Sequence, residues 1–186
     1  GRPGTGERVT SGPPPSGSHG SVAEEIADHL SGFTVVVTKS TVPVGTGDQV
    51  EGLIRRRRTA ADFAVVSNPE FLREGCAIGD FLKPDRIVVG ADEPRAREVM
   101  EAVYQPLTRQ GAPLLLTERR TSELIKYASN AFLAVKISYI NEMADLCEEV
   151  GADALKVAEG MGLDPRIGGR FLQPGPGYGG SCFPKD

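Results

Sequence analysis

The sequence is poor in several residues that common site chemistries depend on. Only three cysteines occur, Cys76, Cys147 and Cys182, at wide and irregular spacing. That excludes a disulfide framework and makes a reducing, cytoplasmic setting the expectation. Only two histidines occur, His19 and His29, and no Cys-x-x-Cys is present, so no metal site is expected. There is no basic surplus: 21 Lys and Arg stand against 25 Asp and Glu, a net charge of −4. Nucleic acid is therefore not an expected partner. No apolar run approaches the roughly 20 residues that span a bilayer, and no charged head leads into an apolar core as in a secretory signal. No membrane partner is expected.

Glycine and proline, by contrast, are plentiful. The chain has 23 Gly and 14 Pro among 186 residues, about a fifth against a usual share of roughly 12%. The excess is local, with ten in residues 1–20 and seven in residues 173–186. Residues 1–20 have one aliphatic side chain, Val9, and no periodicity, which reads as disorder or as sequence foreign to the fold.

Between the two ends the pattern is regular. Val22, Ile26 and Leu30 mark the end of a helix. The β-branched run Phe33–Thr38 predicts a strand buried on both faces. A helix over Thr46–Arg58 closes on four arginines, which read as a solvated C-terminus favoured by the helix dipole. Further elements follow: strands Phe63–Val66 and Arg86–Gly90, helix Pro94–Tyr104, and strand Pro113–Leu116. Strands alternating with helices at this spacing predict a parallel, doubly wound α/β sheet. Then the texture changes. Arg119–Val150 lacks both Gly and Pro and reads as one helix, roughly 48 Å long at about 1.5 Å per residue. That exceeds what a small α/β domain needs, so it is expected to form the spine of a second domain or of a dimer interface. A short helix over Asp153–Met161 follows.

Gly175–Gly180 matches G-x-G-x-x-G letter for letter, but Gln173-Pro174 precedes it and Cys182-Phe183-Pro184 follows it. A dinucleotide fingerprint needs a strand before and a helix after, so the match is rejected. Gly4-x-Gly6 and Gly45-x-Gly47 lack the third glycine. The glycines of 175–180 suit a backbone that approaches a ligand closely and aims amides at it. Cys182 stands directly after them with Lys185 and Asp186 nearby, where a thiolate is favoured. A small buried hydrophobe is the other reading of this cysteine, and it is the one adopted for Cys76 and Cys147. Both histidines are remote from Cys182, so any proton acceptor there is Asp, Glu or Lys. Lys126 and Asn130 share a helix face at i, i+4; they suit an oxyanion or simply a solvated surface. Ser40–Gly45 and Asn68–Gly75 follow strands at their carboxyl ends, where open α/β sheets take ligands.

Five segments together resemble the UDP-glucose/GDP-mannose dehydrogenase family: KSTVPVGTG (Lys39–Gly47), NPEFLREG (Asn68–Gly75), PDRIVVG (Pro84–Gly90), ELIKYASNAFLAVKISYINE (Glu123–Glu142) and PGPGYGGSCFPKD (Pro174–Asp186). The last is the most specific, and its form is similar to the UDP-glucose branch. The resemblance runs from about Val22 to Asp186. It implies the fold class: the C-terminal part of a doubly wound Rossmann-like NAD domain, then an all-α central dimerisation domain with a long spine helix. The implied division is 1–20 unmatched, 21–118 partial NAD domain, and 119–186 central domain with the catalytic loop.

The resemblance also implies roles. The family oxidises a primary alcohol to a carboxylate, UDP-glucose to UDP-glucuronate, in two hydride transfers to NAD. Cys182 would attack the aldehyde to give a thiohemiacetal and then a thioester. Lys126 and Asn130 would stabilise the oxyanions, while Asp186, Thr41 and Glu74 would position water and move protons. Glu70, Phe71, Leu72, Arg73 and Glu74, with Lys126, Asn130, Gln173, Pro174, Gly175, Pro176, Gly177, Tyr178 and Gly179, would line the UDP-sugar site. Arg166 matches an arginine that reaches into the partner subunit's site. Ser40, Thr41, Glu74 and Lys185 would lie at the cofactor, and Arg119–Val150 would join a homodimer. The glycine-rich NAD loop should precede this sequence and a UDP-binding domain should follow it, so a fragment, inactive alone, is the expectation. The alternatives are a GDP-mannose or UDP-N-acetyl-sugar 6-dehydrogenase and a non-catalytic dimerisation module.

Overall fold

The computed structural model describes residues 18–176. They form two compact units: residues 18–70 with 82–123, and residues 71–81 with 124–176.

The first unit holds a four-stranded sheet in the order β1 (Thr34–Thr38), β2 (Phe63–Ser67), β3 (Ile87–Gly90), β4 (Leu114–Thr117). Alternate side chains along each strand point to opposite faces, and both faces are apolar. On one face Phe63, Val65 and Val36 pack under α1 (Ser18–His29) and α2 (Thr46–Arg57) through Ala23, Ala27, Val50 and Ile54. On the other, Ala64, Val66, Ile87 and Val89 pack under α4 (Pro94–Thr108) through Ala96 and Met100. Helices on both faces make the sheet doubly wound, but the Phe33–Thr38 run is not buried on both faces as expected. β1 is the edge strand of the described sheet and is half-buried apart from Val37, which is exposed.

Four further details correct the sequence reading. First, the sheet is not parallel throughout. β1–β2 and β3–β4 are parallel, but β2 and β3 meet at one antiparallel pair, Ser67 opposite Gly90. A parallel return needs a crossover along the sheet face. Here residues 71–81 leave the unit altogether, and the connection carries only the six-residue helix α3 (Ala77–Leu82). Second, Ser18–Gly20 are the first turn of α1 rather than disordered; the rest of 1–20 lies outside the described residues, apart from this turn. Third, the arginines closing α2 do more than face water. Arg58 donates to the Ala27 and Leu30 carbonyls at 3.3 Å, capping α1. Arg57 forms a two-pronged pair with Asp28, and Arg55 stacks on Phe63 with its guanidinium 4.2 Å from the ring centre. α4 also runs past Tyr104, through Pro106, to Thr108, because Leu107 packs into the core.

The second unit is built on α5 (Arg119–Val150) from Leu124 onward and on α6 (Ala154–Gly162). Asp153 caps α6 by accepting from the Leu155 and Lys156 amides. Ile140, Ala158 and Leu172, with Met143 and Met161, form its core. Gly162 and Gly169 approach so closely that a Cβ on Gly162 would lie 2.7 Å from the Gly169 Cα. Lys136 Nζ donates to the Ile167 and Gly168 carbonyls at 3.0 and 2.9 Å, fixing the chain after α6.

Candidate functional site

In the first unit the candidate residues gather at the carboxyl ends of β1 and β2. Ser40 is exposed and Thr41 half-buried just past β1, anchored by buried Val42. Asn68, the first residue after β2, donates from Nδ2 to the Val88 carbonyl at 2.7 Å. Its Oδ1 accepts from Lys39 Nζ at 2.8 Å and from the Tyr104 hydroxyl. One side-chain amide thus ties β3 and α4 to the carboxyl ends of β1 and β2. Glu70 is the last residue of this unit before the chain departs, and it is half-buried.

The first turn of α5 closes the same end. Ser122 Oγ donates to the Ser67 carbonyl at 3.0 Å. A Cβ on Gly90 would meet Ser122 Cβ at 2.4 Å, so only glycine permits this approach. The Arg119 guanidinium, with its side chain 9% exposed, meets Asp48 at 2.6 Å, Glu51 at 2.8 Å and Asp92 at 3.5 Å. Burial opposes ionisation of Asp48, but Arg120 and Arg119 together hold its carboxyl below the usual range. Glu123, 2% exposed, accepts from the Gly45 amide at 2.6 Å and the Gly47 amide at 2.8 Å. Burial pushes its carboxyl above the usual range, against the pull of those two amides.

In the second unit Lys126 is 6% exposed, with Nζ 5.1 Å from the centre of the Phe71 ring. That is cation–π range. The solvated-surface reading of Lys126 therefore fails. Asn130 is half-buried one turn further along α5. Leu72 is half-buried, and Arg73 and Glu74 are exposed. Arg73 donates from its backbone amide and Nε to Asp80 Oδ2, each at 2.9 Å, and from Nη2 to Oδ1 at 2.5 Å. These bonds from Arg73 hold the Asp80 carboxyl at a pKa of about 2. Arg166 is exposed and forms a two-pronged pair with its neighbour Asp164.

At the end of the described chain, Phe171 has φ 65°, a left-handed conformation uncommon for a bulky residue. Leu172 is buried, and the Gly175 amide donates to Asn141 Oδ1 at 2.9 Å. This fixes the start of the glycine-rich segment against α5. Gln173, Gly175 and Pro176 are exposed and Pro174 half-buried. Gly177, Tyr178, Gly179, Cys182, Lys185 and Asp186 lie outside the described residues. Of the other cysteines, Cys147 is buried as a small hydrophobe would be, whereas Cys76 is exposed.

Sequence reading missed Glu123, Arg119, Asp80 and Asn141. One signal was available for Glu123. A helix opening on Gly45-Thr46-Gly47 has little side chain of its own to cap it, so its first amides need an acceptor from elsewhere. Asp80 and Asn141 gave no such signal, since their partners are a loop arginine and a backbone amide fixed only by the fold.

Comparison with known proteins gives a single answer for both units. Residues 17–108 match the NAD binding domain of the UDP-glucose/GDP-mannose dehydrogenase family, and residues 120–186 match that family's central domain. A UDP-glucose 6-dehydrogenase of Rhizobium meliloti (strain 1021) is 69% identical over 88% of this chain and 38% of its own length. UDP-glucose 6-dehydrogenase TuaD of Bacillus subtilis (strain 168) is 52% identical over 88% of this chain and 35% of its own. The structure of a UDP-glucose dehydrogenase from Pyrobaculum islandicum superimposes with a TM-score of 0.81 at 46% identity, covering 90% of this chain and 38% of that one. The chain thus spans little more than a third of the length of these relatives. With two domains of one family matched in order along it, the chain belongs to the UDP-glucose/GDP-mannose dehydrogenase family.

Proposed function

We propose that this chain carries part of the machinery that oxidises the primary alcohol of UDP-glucose to a carboxylate, through a covalent intermediate on Cys182. The observation that carries the reading is buried Lys126 beside Phe71, on the helix face that also bears Asn130. A cation held there has little use on a passive surface, whereas an oxyanion needs a fixed cation and an amide donor. Identity to the Rhizobium enzyme supports the choice of sugar nucleotide.

The alcohol first loses a hydride from carbon and a proton from its hydroxyl to give the aldehyde. The Cys182 thiolate then adds to the aldehyde carbon, and the carbonyl oxygen becomes an oxyanion held by Lys126 and Asn130. Loss of hydride from that carbon leaves a thioester. Water then attacks, the carbon–sulfur bond breaks, and the carboxylate leaves Cys182 as a thiol. Asp186, Thr41 and Glu74 position the water and carry its proton. Glu70–Glu74 and Gln173–Gly179 hold the sugar nucleotide, and Arg166 completes the site of a partner subunit. A reducing cytoplasm keeps the thiol free.

Ser40 and Thr41 fit a dinucleotide, since they sit past β1 at the edge where open α/β sheets bind nucleotides. They would hold NAD with Glu74 and Lys185. NAD, when bound, accepts the hydride of each oxidation. A homodimer would form along α5, where Phe132 (64% exposed), Val135 (60%), Tyr139, Leu146 and Val150 (66%) form one apolar stripe. No helix among the described residues is long and apolar enough to cross a membrane.

Thiol alkylation in the full-length protein tests the nucleophile. Cys76 is exposed and makes a fair reference. Cys182 is expected to label faster than Cys76 and to be protected by UDP-glucose. Equal rates with no protection would sink the assignment.

A further inference from the structure

Helix α2 starts at a glycine, and Gly45 supplies no side-chain cap. Its φ of 95° lies in the left-handed region that side-chain-bearing residues rarely adopt, so a local Ser, Thr or Asp cap is disfavoured at this position. The acceptor comes instead from 78 positions along the chain: Glu123 binds the Gly45 amide through Oε2 and the Gly47 amide through Oε1. Burying a carboxylate is a costly way to cap a helix. The two-pronged grip does more than a local cap, because its amides flank Thr46. Thr46 in turn donates from its amide and Oγ1 to the Pro43 carbonyl at 3.0 and 2.6 Å. The exit of the Ser40–Gly45 loop is therefore held at three neighbouring points, and Glu123 supplies two of them.

We propose that Glu123 is a positioning residue: it sets the conformation of the Ser40–Gly45 loop and so the placement of Ser40 and Thr41. The inference rests on the reading of Thr41 as a group that handles water and protons. Glu123 acts through the Gly45 and Gly47 amides rather than by touching substrate or cofactor.

The test is Glu123→Gln in the full-length protein, read by hydrogen exchange and by steady-state kinetics. The side chain keeps its shape but loses one of two acceptors, leaving one amide without a partner. Exchange at whichever of Gly45 and Gly47 loses its acceptor should quicken about tenfold or more while the amides of β2 stay protected. In the same variant kcat should fall about tenfold or more, since small misplacements near the chemistry are costly, with the Kd for UDP-glucose unchanged. Glu123→Asp, shorter by one methylene, should fall between the two, and it replaces the Gln variant if that fails to fold. Faster exchange with unchanged kcat would overturn the positioning role, and unchanged exchange would overturn the grip itself. A wild-type protein that does not oxidise UDP-glucose would sink the proposed function instead, and exchange alone would then decide whether Glu123 holds the loop.

Discussion

The two ends of α5 invert the usual arrangement of side chains. Its first turn buries charge: Arg119 and Glu123 are nearly inaccessible, as is Ser122. Its later turns expose hydrocarbon, with Phe132, Val135, Tyr139, Leu146 and Val150 in solvent along one stripe. The first turn anchors a helix to the carboxyl ends of a sheet, where backbone groups and acidic side chains need partners. Arg119 and Glu123 are buried against such partners, while Arg120 between them stays exposed. The exposed stripe has no counterpart on the described residues, which is why a second copy is the proposed occupant. One helix thus joins an inward-facing polar anchor to an outward-facing apolar surface.

The harshest way to break the anchor is Arg119→Ala. Asp48, Glu51 and Asp92 lose a shared, buried cation. A loss of about 1 to 2 kcal/mol in urea unfolding is expected, because a buried side chain and its ion pairs are lost. The carboxylates left behind, a third to a half exposed, are screened by water, and Asp48 keeps Arg120. A change below about 0.5 kcal/mol, the size typical of a plain surface substitution, would mean the anchor is ornamental. The stripe is broken differently. Phe132→Asp should leave the unfolding midpoint of the separated chain nearly unchanged but shift sedimentation from dimer toward monomer. Sedimentation identical to wild type would remove the stripe from the interface.

The smallest effect concerns the exposed Arg73–Asp80 pair, which sharpens the contrast between buried and exposed charge. The carboxyl of Asp80 sits at about 2, below its ordinary 3.8. A depressed carboxyl stabilises the fold above its unfolded value, and that contribution is lost as pH falls through the folded one. The stability difference between wild type and Asp80→Asn should therefore be present at pH 5, shrink below about 4, and vanish below about 2. A difference that persists undiminished at low pH would contradict the pairing.

Much of this was legible in the sequence, and the reasons are local. The run Phe33–Thr38 and the stretch Arg119–Val150 without Gly or Pro declare their elements through composition alone. The Arg119–Val150 helix has the predicted bounds. Lys126 and Asn130 were candidates, but only the fold shows that Lys126 is buried. What the sequence hid depends on long-range placement. The antiparallel pair Ser67–Gly90 follows from an excursion of residues 71–81 into the other unit, which no periodicity records. Arg58 reads as a solvated helix end in the sequence because the carbonyls it meets belong to α1 and the turn after it, 31 and 28 positions away. Glu123 escaped notice because its partners are backbone amides, which carry no signature of their own.

The most direct measurement is the count of NADH formed per UDP-glucose by the full-length protein, followed by absorbance at limiting sugar nucleotide. Two NADH per sugar, with turnover lost in Cys182→Ser, is the expected result. One NADH per sugar with free aldehyde as product, or full activity in the serine variant, would contradict a covalent path through Cys182.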